Sequence, residues 1–148
     1  YFVTMIRTIQ NLLFILIALF SLAACSKKGD PKPKTQTDLL VAHEWRGDQV
    51  QVNGIDVSAR PEVTSQIGHI KTVRLKFNAD GTYTATFTNN IGAQTQTGKW
   101  SFNQDKTKLT FELYGEVEVK RLTENNLDLT AKIPFQGVLF NAEVMFVK

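Results

Sequence analysis

From residue 73 to the end of the chain, apolar and polar side chains alternate. Val73, Leu75 and Phe77 share one parity, with Arg74 and Lys76 between them; Tyr83, Ala85 and Phe87 then interleave with Thr82, Thr84, Thr86 and Thr88. Trp100 and Phe102 sit among Lys99 and Ser101; Leu109, Phe111 and Leu113 among Lys108, Thr110 and Glu112; Val117 and Val119 among Glu116, Glu118 and Lys120. Leu127, Leu129, Ala131 and Ile133 follow, and Val138, Phe140, Ala142, Val144 and Phe146 close the chain on one face. A period of two with one dry face predicts half-buried β-strands. Turn chemistry falls where the runs stop, at Asn53-Gly54, Asn78-Ala79-Asp80-Gly81, Asn89 to Gly92, Asn103 to Asp105, Gly115, Glu124 to Asn126 and Pro134 to Gly137. With His43 to Val52 as the first strand, the pattern predicts an all-β fold. It is an up-and-down antiparallel β-barrel of about eight strands, with one longer connection from Ser58 to His69. A sandwich is the alternative, but Greek-key order needs more long crossings than the chain offers. Thr37-Asp38-Leu39-Leu40-Val41 ahead of the strands predicts a short helical turn capped by Thr37.

The first 24 residues depart from this rhythm, with 18 apolar side chains and an unbroken run from Leu12 to Phe20 behind Arg7. That is the layout of a secretory signal. From Leu12 to Ala24 the chain is short of the ~20 residues a bilayer-spanning helix needs. Met5 makes the better start, which marks Tyr1 to Thr4 as an upstream extension of the reading frame. Residues 26–36, SKKGDPKPKTQ, hold no apolar side chain besides two prolines and read as a solvated tether. The expected organisation is a signal peptide (1–24), a lysine-rich tether (25–36) and a β domain (37–148).

Charge follows the same division. The chain carries a net +3, of which Arg7 contributes one and the tether, with four lysines against Asp30, three; the domain holds 12 basic and 13 acidic residues. A total is not a patch, so a basic nucleic-acid-binding domain is disfavoured. Four lysines next to a membrane could touch anionic headgroups, each worth up to ~1 kcal/mol.

Leu22-Ala23-Ala24-Cys25 resembles the lipobox of bacterial lipoproteins, and Cys25 is the only cysteine in the chain. The resemblance implies cleavage before Cys25, acylation of its sulfur and a membrane anchor, leaving no thiol for a disulfide. Two or three acyl chains hold a protein on a membrane almost permanently, since each buried methylene adds ~0.8 kcal/mol. Ser26 stands after the cysteine in place of the aspartate that resembles an inner-membrane retention signal, and no acidic run resembles a surface-export signal. The periplasm-facing side of the outer membrane is therefore the expected location.

Within the domain, Leu39-Leu40 followed by Trp45, the hairpin Asn53-Gly54, the stretch Phe77-Asn78-Ala79-Asp80-Gly81-Thr82-Tyr83-Thr84 and Gly98-Lys99-Trp100-Ser101 resemble the lipocalin-like lipoproteins of the Bacteroidetes group. The resemblance implies a calycin-type barrel that binds a small apolar ligand. Trp45, Tyr83, Phe87, Trp100, Phe102, Phe111 and Phe140 fall on the predicted inner face. They could line a pocket or fill a core, because an eight-stranded barrel admits both.

Catalysis needs a nucleophile beside a base, or convergent metal ligands. His43 and His69 have no paired spacing, and strand neighbours His43 and Glu44 point to opposite faces, so His43 reads as a solvent-facing or edge residue. Asn78-x-Asp80-Gly81 faintly echoes a calcium loop but lacks the remaining oxygens; a hairpin turn accounts for it. Glu116 and Glu118 share a face and read as solvent-facing strand charges. The chain is therefore expected to be no enzyme and to need no cofactor or metal. A ligand-binding barrel predicts an internal cavity; the alternative, an envelope module contacting protein or glycan, predicts a filled barrel with an exposed apolar patch at Val63, Ile67 and Ile70.

Overall fold

The computed structural model describes residues 32–135 and 138–148. The described fold is the compact unit Lys34–Lys148. The expected signal peptide, Cys25 and the tether as far as residue 31 lie outside the described residues. Among the described residues, no helix is long and apolar enough to cross a membrane.

The elements run α1 (Gln36–Val41), β1 (Glu44–Val52), β2 (Ile55–Asp56), α2 (Pro61–Ile67), a 3₁₀ turn (Ile70–Thr72), β3 (Arg74–Phe77), β4 (Thr82–Asn89), β5 (Gly92–Phe102), β6 (Lys108–Phe111), β7 (Gly115–Leu122), β8 (Asn126–Phe135) and β9 (Val138–Val147). From β3 on, every strand pairs antiparallel with the next, and β9 returns to β1, with Gly47 opposite Phe146 and Val52 opposite Ala142. Eight strands thus close into an up-and-down barrel in which every strand pairs on both sides over at least part of its length. The two residues of β2 are an extra arm folded back on the end of β1, Val52 opposite Ile55. Asn53 (φ 50) and Gly54 (φ 78) connect them with both central residues left-handed, as a two-residue hairpin of type I′ requires.

One end of the barrel is floored. α1 starts at Thr35, whose hydroxyl accepts from the Asp38 N–H (3.1 Å) while the Asp38 carboxylate accepts from the Thr35 N–H (2.8 Å). This capping box moves the helix start from the expected Thr37 to Thr35, because only Thr35 has an acid three residues on. Leu40 is thereby delivered into the barrel base, and the Trp45 indole N–H donates to its carbonyl at 2.8 Å. Leu40, Trp45, Phe77, Leu109 and Leu127 are fully buried. Each such burial stabilises by about 1.5–3 kcal/mol. His43 is no solvent-facing residue: its ring stands edge-on to Trp45, centroids 5.5 Å apart, and its Nε2 is buried.

The other end carries a strap. The Ser58–His69 connection holds α2, begun by Pro61 and ended by Gly68 (φ 74), whose N–H returns to the Thr64 carbonyl. Val63 and Ile70 are each 3% exposed, so the apolar patch considered for this loop does not exist. The side chains that would have formed it turn into the barrel.

Candidate ligand-binding site

Between the floor and the strap the barrel is not filled. A cavity of about 870 Å³ lies there, within the range of roughly 300–1,000 Å³ that small-molecule sites occupy. The cavity is open to solvent and runs from the apolar interior out to Glu116, Glu118 and Lys132 on the outer face. Leu75, Ala85, Phe87, Phe111, Val144 and Phe146 wall it, and Ile67 and Ile70 reach it from the strap. A separate hollow of about 180 Å³ lies at the strap end, between Val52, Ile55, Val57, Val63, Ile133 and Phe140.

Tyr83 contributes a ring to the cavity wall and no hydrogen-bonding group. Its hydroxyl is buried and has no partner among the described residues, and burial pushes the phenol above its usual value, helped by Tyr114 and Glu112 nearby. The ring packs edge-on against Phe111, centroids 5.2 Å apart.

The cavity wall is interrupted between β7 and β8. Their ladder stops at Glu118 opposite Thr130, although β7 begins at Gly115 and β8 continues to Phe135. Glu116, Val117 and Glu118 on one lip and Thr130, Ala131 and Lys132 on the other all line the cavity, so it reaches this split. Lys108 Nζ meets Glu116 Oε1 at 2.6 Å, and that contact holds the ammonium above its usual pKa. The exposed large hydrophobics collect at the strap end, on the hairpin tips: Ile55, Ile91 (82% exposed), Leu113, Tyr114, Val138 and Leu139.

Residues 41–129 match the family model described as a lipocalin-like domain. This chain belongs to the lipocalin-like domain family. Among solved structures, the lipocalin-like barrel is similar to bovine odorant binding protein in complex with its natural ligand, with a TM-score of 0.52 at 16% identity over 80% of this chain and 76% of that one. The bovine lipocalin allergen Bos d 2 gives 0.50 at 16% identity, covering 77% and 75%. A DUF4847 family protein from Bacteroides vulgatus gives 0.50 at 15%, covering 76% and 96%. At such identities the likeness is one of fold. No curated protein sequence matches the chain.

The lipocalin-like barrel sorts its aromatic residues by height. Tyr83, Phe87 and Phe111 line the main cavity, and Phe140 lines the smaller hollow. Trp45, Trp100 and Phe102 pack in the base: the Trp100 indole donates to the Asn78 carbonyl at 3.1 Å and stands edge-on to Phe77 and Phe102. Alternation alone did not single out Ile67 and Ile70, which come from the strap, or the charged lips at Glu116, Glu118 and Lys132. Among the described residues no cluster of His, Cys, Asp and Glu is arranged to hold a metal.

Proposed function

We propose that this chain is a lipid-anchored binding protein whose barrel holds or carries a small apolar ligand. The observation that carries the reading is the cavity of about 870 Å³, walled by Leu75, Phe87, Phe111, Val144 and Phe146 inside a lipocalin-like fold. Binding there draws on apolar burial at about 25 cal/mol per Å² in a largely preformed site, with little ordering cost. The odorant binding protein complexed with its natural ligand supports the reading by fold. Native mass spectrometry of the purified chain tests it: a co-purifying small molecule, lost when Ala85→Trp fills the cavity, is expected. Failure of a panel of medium-chain alcohols and aldehydes to bind the ligand-free chain would overturn it.

The anchor rests on Leu22-Ala23-Ala24-Cys25. We place the protein in the cell envelope, on the periplasmic face of the outer membrane, with acylated Cys25 in the bilayer. Metabolic labelling with an alkynyl palmitate checks this; Cys25→Ser is expected to abolish both the label and sedimentation with membranes.

A second reading, an interaction module, draws on the apolar hairpin tips Ile91, Leu113 and Leu139. Exposed apolar groups gathered at one end suit a surface from which ligand is collected or to which it is delivered.

A further inference from the structure

The split between β7 and β8 has a chemistry of its own. Continued in the register of Glu118 with Thr130, the ladder would set Val117 opposite Ala131 and Glu116 opposite Lys132, an oppositely charged pair on the outer face. The structure instead gives Glu116 to Lys108 on β6, at 2.6 Å. Lys132 is left on the β8 lip without an ion pair among the described residues. Glu118 on the β7 lip makes none either, although it stands opposite Lys108 in the β6–β7 ladder and acts on that ammonium. The β6–β7 lip therefore carries one net negative charge, from Lys108, Glu116 and Glu118, and the β8 lip one positive charge, from Lys132. Both lips line the same cavity whose depth is walled by Ala85, Phe111 and Phe146.

We propose that the side opening between β7 and β8 is the seat of a zwitterionic headgroup, and that the ligand is a single-chain amphiphile with its tail in the cavity. The inference rests on the reading of the barrel as a binding site and specifies that ligand's class. The tail replaces water along the apolar wall. The cationic part of the head faces Glu118, beside the Lys108–Glu116 pair, and the anionic part faces Lys132. A purely anionic head gains Lys132 but meets the net negative charge of Lys108, Glu116 and Glu118 across the split, and a purely cationic head gains that lip but meets Lys132. Only a head bearing both charges matches both lips. The open ladder gives the head a path through the wall without lifting the strap.

Four ligands with one dodecyl chain separate the terms: a sulfobetaine, dodecanoate, dodecyltrimethylammonium and dodecanol, each titrated below its micelle concentration into the full chain by calorimetry. The sulfobetaine is expected to bind about tenfold more tightly than the others. Lys132→Glu and Glu118→Lys are each expected to weaken it by about fivefold, the scale of a partly exposed charge contact, and to weaken dodecanol, which brings no charge to the lips, by about twofold or less. Equal affinities for all four heads, or charge variants without effect on the sulfobetaine, would overturn the headgroup seat while leaving the barrel a binding site. Absence of binding by every ligand, dodecanol included, would overturn the binding reading itself and this inference with it.

Discussion

The ring of Tyr83 rests against Gly98, its cross-strand partner: a Cβ at position 98 would stand 2.9 Å from Cε1 and 3.1 Å from the hydroxyl. The glycine gives the ring a flat seat on β5, which keeps it against the wall and out of the lumen. Gly98→Ala is expected to push the ring toward Phe111, costing about 1–3 kcal/mol as overpacking does and narrowing the cavity. Urea unfolding and ligand titration on the same sample check both effects.

Tyr83→Phe should behave in the opposite way. The hydroxyl is buried with no partner among the described residues, and such a group costs about 1–3 kcal/mol. Its removal is expected to leave stability unchanged or raise it by about 1 kcal/mol, with apolar ligand affinity retained. A loss of stability in chemical denaturation would mean the hydroxyl has a partner.

Gly47 is a tighter constraint. A Cβ there would lie 2.1 Å from the carbonyl oxygen of Ile70, where the 3₁₀ turn packs against β1 and the Gly47 N–H donates to the Val73 carbonyl at 2.9 Å. Backbone cannot rotate away as a side chain can. Gly47→Ala is expected to cost about 3 kcal/mol, the upper range of overpacking, and to lower the urea midpoint with the slope retained.

Acid should loosen specific turns. The Asp80 carboxylate accepts from the Thr82 hydroxyl (2.7 Å) and N–H (2.9 Å), and these bonds hold it below its ordinary value of 3.8. Asp56 is lowered by the Ser58 hydroxyl and N–H, and Glu124 by Lys34. A carboxyl depressed in the folded state stabilises in full above its unfolded pKa and loses that contribution as pH falls through the folded value. The thermal midpoint is therefore expected to be level down to about pH 5 and to fall below about pH 4. Asp80→Asn should remove part of that fall, as read by calorimetry across the range.

Alternation made the faces of the strands legible, and Asn53-Gly54 and Asn78 to Gly81 marked their hairpins, so the barrel could be read from the residues. Height along the barrel axis could not. A period of two assigns Trp45, Tyr83 and Phe111 to the same interior but is blind to whether a ring lies in the floor or above it, since that depends on strand tilt and stagger. The strap was hidden for a different reason. Val63 and Ile67 belong to a helix of seven residues, too short to establish a 3.6-residue period, and β-branched Val63 and Thr64 weaken its propensity. The split at Glu118 was invisible because β7 and β8 both alternate normally through it. Only the loss of pairing between them opens the wall.

The seam between β1 and β9 sets the order of events in synthesis. It joins residues 46–52 to residues 142–147, nearly the whole length of the domain apart, and no earlier strand substitutes for β9. The local hairpins can form as the chain emerges, but the β1 residues that pair with β9 wait until β9 is made. Contacts of such sequence separation are slow to form. The arrival of β9 thus covers the β1 edge that until then is open to aggregation.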